Sequence, residues 1–314
     1  MWNRRGRFIY FERCPQMKRQ DKPATTYQVQ VTKMKKKNII IENEAFAISF
    51  LKKVQYYRLS GYWLSYFEDR EKDILKPGIT FEKISSIYLF DKELRNMLLS
   101  MLDTIETEFK SNLAYDFSHN CGPLSYKDVN NFRRPEYYAK WLNKFYNSIS
   151  YSDTNRELYI EWYKNEYNGK FPFWIVVELC NFNDISKFYS NLHIKVKKNV
   201  VKIYGYDAEY IQSWLHTVVL IRNICAHNGR LYNRTITVSP KLPKGTVRLN
   251  VKRIFIVVYI FKFLCIDQRE WEDFVNKIEK LIQKYQDSIE LEMIGFPEMW
   301  QEILTDECTS ETSK

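Results

Sequence analysis

The chain has 314 residues with 48 Lys and Arg against 38 Asp and Glu, which gives a formal net charge of +10. Aromatic residues make up 16% of it while Gly and Pro contribute only 9 residues each, so a disordered or a collagen-like chain is excluded. Residues 266–314 hold 13 acidic and 5 basic side chains, a net charge of −8, so residues 1–265, the body of the chain, carry +18. This positive charge favours an anionic partner over an ordinary solvated surface.

Nearly all periodic segments have apolar residues at spacings of three and four, which is the pattern of a helix with one buried face. The scarcity of Gly and Pro also favours long helices over many short strands. In chain order the predicted helices are Glu42–Val54, Thr80–His119, Pro135–Ser148, Arg156–Tyr167, the segment after Pro172, Ile185–Leu192, Ala208–Asn228, Val251–Leu264 and Trp271–Tyr285. The sequence therefore predicts an all-α protein.

Local signals add detail to this prediction. Asp207 is a good N-cap residue, and the pair Asn183 and Asp184 predicts a break and an N-cap before Ile185. Three β-branched residues and two prolines predict a loop or a small hairpin near residues 235–249. The dense aromatic patch Tyr56–Phe67 is typical of a core, although such rings can also stack on RNA bases.

Cysteine usage and hydropathy indicate a cytoplasmic protein without a membrane partner. The 6 cysteines are scattered without a C-x-x-C pair, which is typical of a reducing compartment. The 4 histidines are not clustered, so we predict no zinc site and no cofactor, while the many carboxylates leave a magnesium site open. The strongest apolar run, Ile254–Ile266, has 13 residues and is too short to span a bilayer.

One segment carries candidate chemistry: LIRNICAHNGRLYNR, Leu220–Arg234. Asn223 lies four residues before His227 and so on nearly the same helix face, with Arg222 next to it. A histidine takes or gives a proton near neutral pH, and a guanidinium holds a phosphate and stabilises charge that develops on it. This set can cleave RNA without a metal, with the ribose 2′-OH as nucleophile and His227 as the proton shuttle.

The R-x-x-x-x-H spacing alone is a weak signal, because it occurs by chance in many basic proteins. The structural alternative is that Arg222 pairs with a buried carboxylate and that His227 is a core histidine with satisfied hydrogen bonds. On spacing alone, this alternative is favoured.

Four stretches together carry a family resemblance: VQYYRLSGYW (Val54–Trp63), IYLFDKELRNMLLSMLDTIETEF (Ile87–Phe109), PFWIVVELCNFNDISKFYSNL (Pro172–Leu192) and WLHTVVLIRNICAHNGRLYNR (Trp214–Arg234). In this order they resemble the Abi_2 family of bacterial abortive-infection proteins, the AbiD and AbiF type, which belongs to the HEPN superfamily. The opening DKPATTYQVQ (Asp21–Gln30) is similar to the usual family start, and the likeness extends to at least Leu264.

The resemblance implies an HEPN-type helical bundle with additional N-terminal and C-terminal helices, in which R-x-x-x-x-H is the ribonuclease signature. Arg222 and His227 match the catalytic pair, and Asn223 matches the polar residue that follows the Arg. The resemblance also implies an RNA substrate and a homodimer whose two motifs face each other across one cleft. Relatives commonly read C-A-H-H, whereas Asn228 follows His227 here, so activity is reduced if that second His takes part in catalysis.

Five residues are candidate RNA contacts: Asn228, Arg230, Asn233 and Arg234, which follow the motif, and Arg58 in the stretch YYRLSGYW. Cations just past the helix can bind phosphates, but they can equally interact with the negative, C-terminal end of the helix dipole. Arg58 and Arg95 match family positions, and for both the favoured role is a buried ion pair with Asp91, Glu106 or Glu108.

The chain divides into three predicted parts. Residues 1–21 form an N-terminal extension, of which Met1–Gln16 is either a true extension or an over-called start before Met17. Residues 22–290 form a single all-α domain, and residues 291–314 form an acidic C-terminal tail.

Three functions from different classes fit these observations. The favoured one is a metal-independent endoribonuclease that acts as an abortive-infection toxin and is restrained by an inhibitory RNA or released by infection. The second is a non-catalytic RNA-binding module of a defence or toxin–antitoxin system. The third is a helical protein in which Arg222 and His227 only stabilise a dimer seam.

Overall fold

A computed structural model describes residues 23–154 and 158–306. These residues form fourteen α-helices and one two-stranded sheet, so the all-α prediction is confirmed. The predicted N-terminal extension, residues 1–21, and the last residues of the predicted tail lie outside the described residues.

The fold begins with short elements and then alternates helices with brief connections. Before the first long helix come α1 (Tyr27–Lys36), α2 (Glu44–Lys53), α3 (Tyr56–Ser60) and an antiparallel hairpin of β1 (Phe67–Asp69) and β2 (Ile74–Leu75). The helices that follow are α4 (Phe81–Cys121), α5 (Pro135–Thr154), α6 (Leu158–Glu166), α7 (Phe173–Leu179), α8 (Phe182–Asn191), α9 (Ile194–Val200), α10 (Ala208–Ala226), α11 (Phe255–Leu264), α12 (Gln268–Tyr285), α13 (Leu291–Ile294) and α14 (Trp300–Thr305).

The helix α4 is the centre of the fold. It has 41 residues, which corresponds to a length of about 60 Å. Thr80 caps it, since its side chain accepts a hydrogen bond from the Lys83 N–H at 3.0 Å, as the sequence predicts for a helix that opens there. Its apolar face recurs along the whole length and packs against α3, α7, α8, α9, α10, α11 and α12. Elements distant in the chain are thereby placed against one scaffold.

The helix α10 packs against α4, α8 and α11. Trp214, Leu215, Val218 and Ile221 are buried on its inner side, as expected for a helix with one buried apolar face. This packing sets the last turn of α10, which carries the R-x-x-x-x-H motif, beside the middle of α4.

One local prediction differs from the structure, and a second one is decided between its two alternatives. Asn181, rather than Asn183 or Asp184, caps α8, because its side-chain oxygen accepts from the Asp184 N–H at 3.1 Å and the helix then starts at Phe182. The chain over residues 235–249 is a loop, which is one of the two forms predicted for it. The small hairpin of the fold lies elsewhere, at β1 and β2.

The part of the predicted tail that the structure describes folds back onto the body. Trp300 and Leu304 of α14 are buried, and the Trp271 indole N–H donates to the Leu304 carbonyl at 3.2 Å. No helix within the described residues is both long and apolar enough to cross a membrane.

Candidate active site

The R-x-x-x-x-H motif ends α10 with a defined capping turn. His227 is the C-cap residue, and Asn228 follows in the left-handed region with φ of 55°. The Asn228 N–H donates to the Cys225 carbonyl at 2.9 Å, and the Gly229 N–H donates to the Ile224 carbonyl at 2.7 Å. These two hydrogen bonds form a Schellman motif, so the backbone on both sides of His227 is fixed.

The residue types after His227 fit this turn. Asn is one of the few residues besides Gly that adopt the left-handed conformation readily. A Cβ on Gly229 would lie 2.8 Å from the Ile224 Cγ2 and 3.0 Å from the Ile224 carbonyl oxygen, so only glycine fits without a shift. Asn228 therefore supplies a backbone conformation that ends the helix.

This geometry makes a direct prediction for stability. We expect Asn228→Ala to lower the free energy of unfolding by about 1–2 kcal/mol, because Ala has the Cβ that disfavours φ > 0 but lacks the short polar side chain that lets Asn adopt this conformation. Asn228→Gly is the matched control and should leave stability nearly unchanged, because Gly adopts this conformation without strain. Urea unfolding of the three proteins gives the comparison, and an Ala variant as stable as the Gly variant would contradict the role given to Asn228.

The three candidate catalytic side chains lie on the protein surface. His227 and Asn223 are exposed, and the side chain of Arg222 is 41% exposed. Within residues 23–154 and 158–306, the His227 ring and the Asn223 side chain have no hydrogen bond or ion pair. The alternative in which His227 is a satisfied core histidine is therefore wrong.

Arg222 faces a carboxylate on α4 that is already paired. Its Nε lies 4.0 Å from the Glu106 Oε2, while the Lys110 Nζ lies 2.9 Å from the Glu106 Oε1. The Glu106 side chain is only 15% exposed, so Arg222 meets a nearly buried acid at the outer limit of an ion pair. The i,i+4 spacing of Glu106 and Lys110 indicates their ion pair from sequence, but not its position beside Arg222.

Arg58 contacts the motif from α3. It is exposed, and its Nη1 donates to the Asn228 carbonyl at 2.6 Å. The buried ion pair favoured for Arg58 is not formed, because this residue lies at the surface over the capping turn. Its role as an RNA contact stays a prediction.

The other candidate RNA contacts are held by local hydrogen bonds. Arg230 donates to the Tyr232 carbonyl and is half-buried, and burial lowers the pKa of its guanidinium. The Arg234 Nη1 donates to the Arg230 carbonyl at 3.3 Å. The Asn233 Oδ1 accepts from the Arg253 Nη1 at 2.7 Å. All three shape the loop after α10, whatever further contacts they make.

A buried network fixes this loop to α4. The Asp91 carboxylate accepts hydrogen bonds from the Leu231 N–H at 3.0 Å, the Tyr232 N–H at 2.7 Å and the Tyr62 hydroxyl at 2.6 Å. It also pairs with the Arg95 guanidinium, and this pair is fully buried, so the ion pair predicted for Arg95 is confirmed. Burial raises the pKa of the Asp91 carboxyl, and Arg95 together with the three hydrogen bonds opposes that rise.

The neighbouring thiol does not add a nucleophile. Cys225 is buried on the inner side of α10, and burial raises its pKa to about 12. A thiol of this kind is protonated near neutral pH and is therefore inert. Within the described residues, no group of three or more His, Cys, Asp and Glu side chains is placed to hold a metal ion.

The fold and the motif define an all-α protein with R-x-x-x-x-H at an exposed helix end that is anchored to a long central helix. The family described as Abi-like protein matches residues 49–233, which is more than half of the chain and contains the motif and its anchoring network. The chain belongs to this family, which indicates a role in abortive infection, a form of phage defence. Comparison with curated proteins and with solved structures finds no match.

Proposed function

We propose that the protein is a metal-independent HEPN endoribonuclease that acts as an abortive-infection toxin. The observation that carries the proposal is the exposed His227, which has no side-chain partner within the described residues, on a backbone that the capping turn and the Asp91 network hold in place. Reactive side chains on a rigid support are what positioned proton transfer requires.

In this reaction the ribose 2′-OH attacks the adjacent phosphorus while the bond to the 5′-oxygen of the next nucleotide breaks. His227 takes the proton of the 2′-OH or gives one to the leaving oxygen. Arg222 stabilises the negative charge that develops on the phosphate oxygens, and Asn223 offers a further polar contact on the same surface. The products are a 2′,3′-cyclic phosphate and a free 5′-hydroxyl.

A homodimer completes this proposal. His227 and Asn223 lie on open surface in one protomer, and catalytic groups act most strongly where water is excluded. A second protomer that places its own motif opposite would supply the other proton transfer and close the site. Tyr57, which is 87% exposed beside Arg58, is the kind of aromatic residue that interfaces bury.

The test is an RNA cleavage assay with the purified protein in the presence of EDTA. We expect cleavage to continue, because no step depends on a divalent cation, and we expect the 3′ ends to carry 2′,3′-cyclic phosphate. Mass spectrometry of the fragments identifies the ends. Cleavage that stops with EDTA and returns with Mg²⁺, or fragments with 3′-hydroxyl ends, would refute the mechanism.

A non-catalytic RNA-binding module is the second candidate, favoured by Asn228 in place of the family's second His. In that case the protein binds RNA, including an inhibitory RNA, with an affinity that falls steeply with salt. Variants of Arg222 and His227 would then keep their protective effect in infected cells, which the ribonuclease proposal does not allow.

A further inference from the structure

A cleft lies between α5 and α8, away from the R-x-x-x-x-H motif. Its volume is about 590 Å³, which is within the usual range for small-molecule sites. Gln212 of α10 lines it, ten residues before Arg222 and so about 15 Å from it along the helix axis. The cleft is therefore separate from the candidate active site, although both contact the same helix.

The floor of the cleft is aromatic and rigid. Phe132, Trp141 and Phe188 are buried there, with ring centroids 4.7 Å apart for Trp141 and Phe188 and 5.2 Å apart for Phe132 and Phe188. Tyr137 stands at the edge with 49% of its surface exposed. The cleft thus combines an apolar base with one open aromatic ring.

The rim of the cleft is positively charged. Within the described residues, no carboxylate lies within 4.0 Å of its four exposed cations, Arg133, Arg134, Lys140 and Lys187. The one acid that lines the cleft, Asp184, is nearly buried and already pairs with the Lys144 Nζ at 2.6 Å. Four positive charges therefore have no ion-pair partner among the residues that the structure describes.

The two arginines are held in place through their backbone. The Arg133 N–H donates to the Asn191 carbonyl at 2.8 Å, and the Asn191 side chain bonds both the N–H and the carbonyl of Arg134, at 3.1 and 3.0 Å. The Arg134 guanidinium lies 5.2 Å from the centre of the Tyr137 ring. Because the backbone of both arginines is fixed, binding an anion has to order only their side chains.

A buried lysine stands behind the cleft wall. The Lys197 ammonium donates to the Gln212 Oε1 at 2.6 Å and to the Ser190 carbonyl, and both of these residues line the cleft. Burial, together with the charge of Arg133, lowers the pKa of Lys197 to about 8. Burial is the larger of these two causes, and the charge of Arg133 at this wall, the smaller one, also attracts an anionic ligand.

We propose that the α5–α8 cleft binds a nucleotide, with its phosphate on the cations of the rim and its base against Tyr137 and the aromatic floor. Arginines hold phosphates through paired N–H donors, and aromatic rings stack on bases of any sequence. The nucleotide is either free or one unit of an RNA strand, since the recognised chemistry is the same. The proposal does not depend on the ribonuclease function, because it rests on a different surface.

The test uses the full chain and two probes: ATP, and a fluorescent single-stranded oligonucleotide with 2′-O-methyl groups, which cannot undergo 2′-OH attack. The variants are Tyr137→Ala and the double charge reversal Lys140→Glu/Lys187→Glu. The matched control is Lys52→Glu/Lys53→Glu, which changes the same number of exposed lysines on α2. Fluorescence anisotropy gives the affinity for the oligonucleotide, and competition with ATP distinguishes the two sources.

We expect each cleft variant to weaken binding about tenfold or more, and the control pair to bind like the unchanged protein. Displacement by ATP indicates a free nucleotide as the ligand, and binding of the oligonucleotide alone indicates an RNA strand. Equal losses in the cleft and control variants, or no binding of either probe, would overturn the proposal. Because the oligonucleotide cannot be cleaved, failure here and failure of the ribonuclease function are separate results.

Discussion

His227→Ala is expected to abolish RNA cleavage while it leaves the fold intact. Loss of a general acid or base lowers a rate by about 10²- to 10⁴-fold. The side chain is exposed and has no partner within the described residues, so the free energy of unfolding should change by no more than about 0.5 kcal/mol. Initial cleavage rates on a labelled RNA, together with urea unfolding of the same preparation, measure both quantities.

His216→Ala is the matched control for this experiment. His216 is also exposed and lies on α10, but it is 11 residues before His227 and outside the motif. We expect this variant to cleave RNA at the unchanged rate. A folded His227→Ala protein that cleaves as fast as His216→Ala would remove His227 from the mechanism and leave the non-catalytic function as the better account.

The sequence predicts most helices of this fold because their apolar periodicity is long. In α4 the apolar repeat continues for about eleven turns, so a few atypical residues do not obscure the helical pattern. A short helix carries too few apolar residues to show this periodicity: α1 buries only Val31 and Met34, and its lysines are typical of a solvated stretch. The helix α8 starts three residues before the predicted Ile185 because Asn181, Asn183 and Asp184 are all good N-cap residues, and tertiary packing selects among them.

The site was predictable only in its chemistry. The spacing of Arg222 and His227, and the family resemblance, name the residues, but they do not show that His227 is exposed or that Arg222 lies beside Glu106. Contacts of this kind join residues far apart in the chain: the hydrogen bonds of Asp91 reach 140 residues ahead, to Leu231. No local sequence pattern indicates such a pairing. The cleft between α5 and α8 could not be predicted for the same reason, because the residues that line it are far apart in the chain.

Asp91→Ala should have the largest effect on stability. It leaves the Arg95 guanidinium buried without its counter-charge and removes the acceptor of the Leu231 and Tyr232 N–H groups and of the Tyr62 hydroxyl. Removing one partner of a buried ion pair costs about 3–5 kcal/mol, which is a large fraction of the stability of most domains. Urea or thermal unfolding measures the loss.

A second acid on the same helix separates this effect from a general loss of charge. Asp103 of α4 is exposed, so Asp103→Ala should change the free energy of unfolding by no more than about 0.5 kcal/mol. Asp91→Asn keeps the shape but turns an amide N–H₂ toward groups that donate, so it should fall between the two. If Asp91→Ala were as stable as Asp103→Ala, the network would not anchor the loop after α10. The fixed position of His227 would then have to come from the capping turn alone.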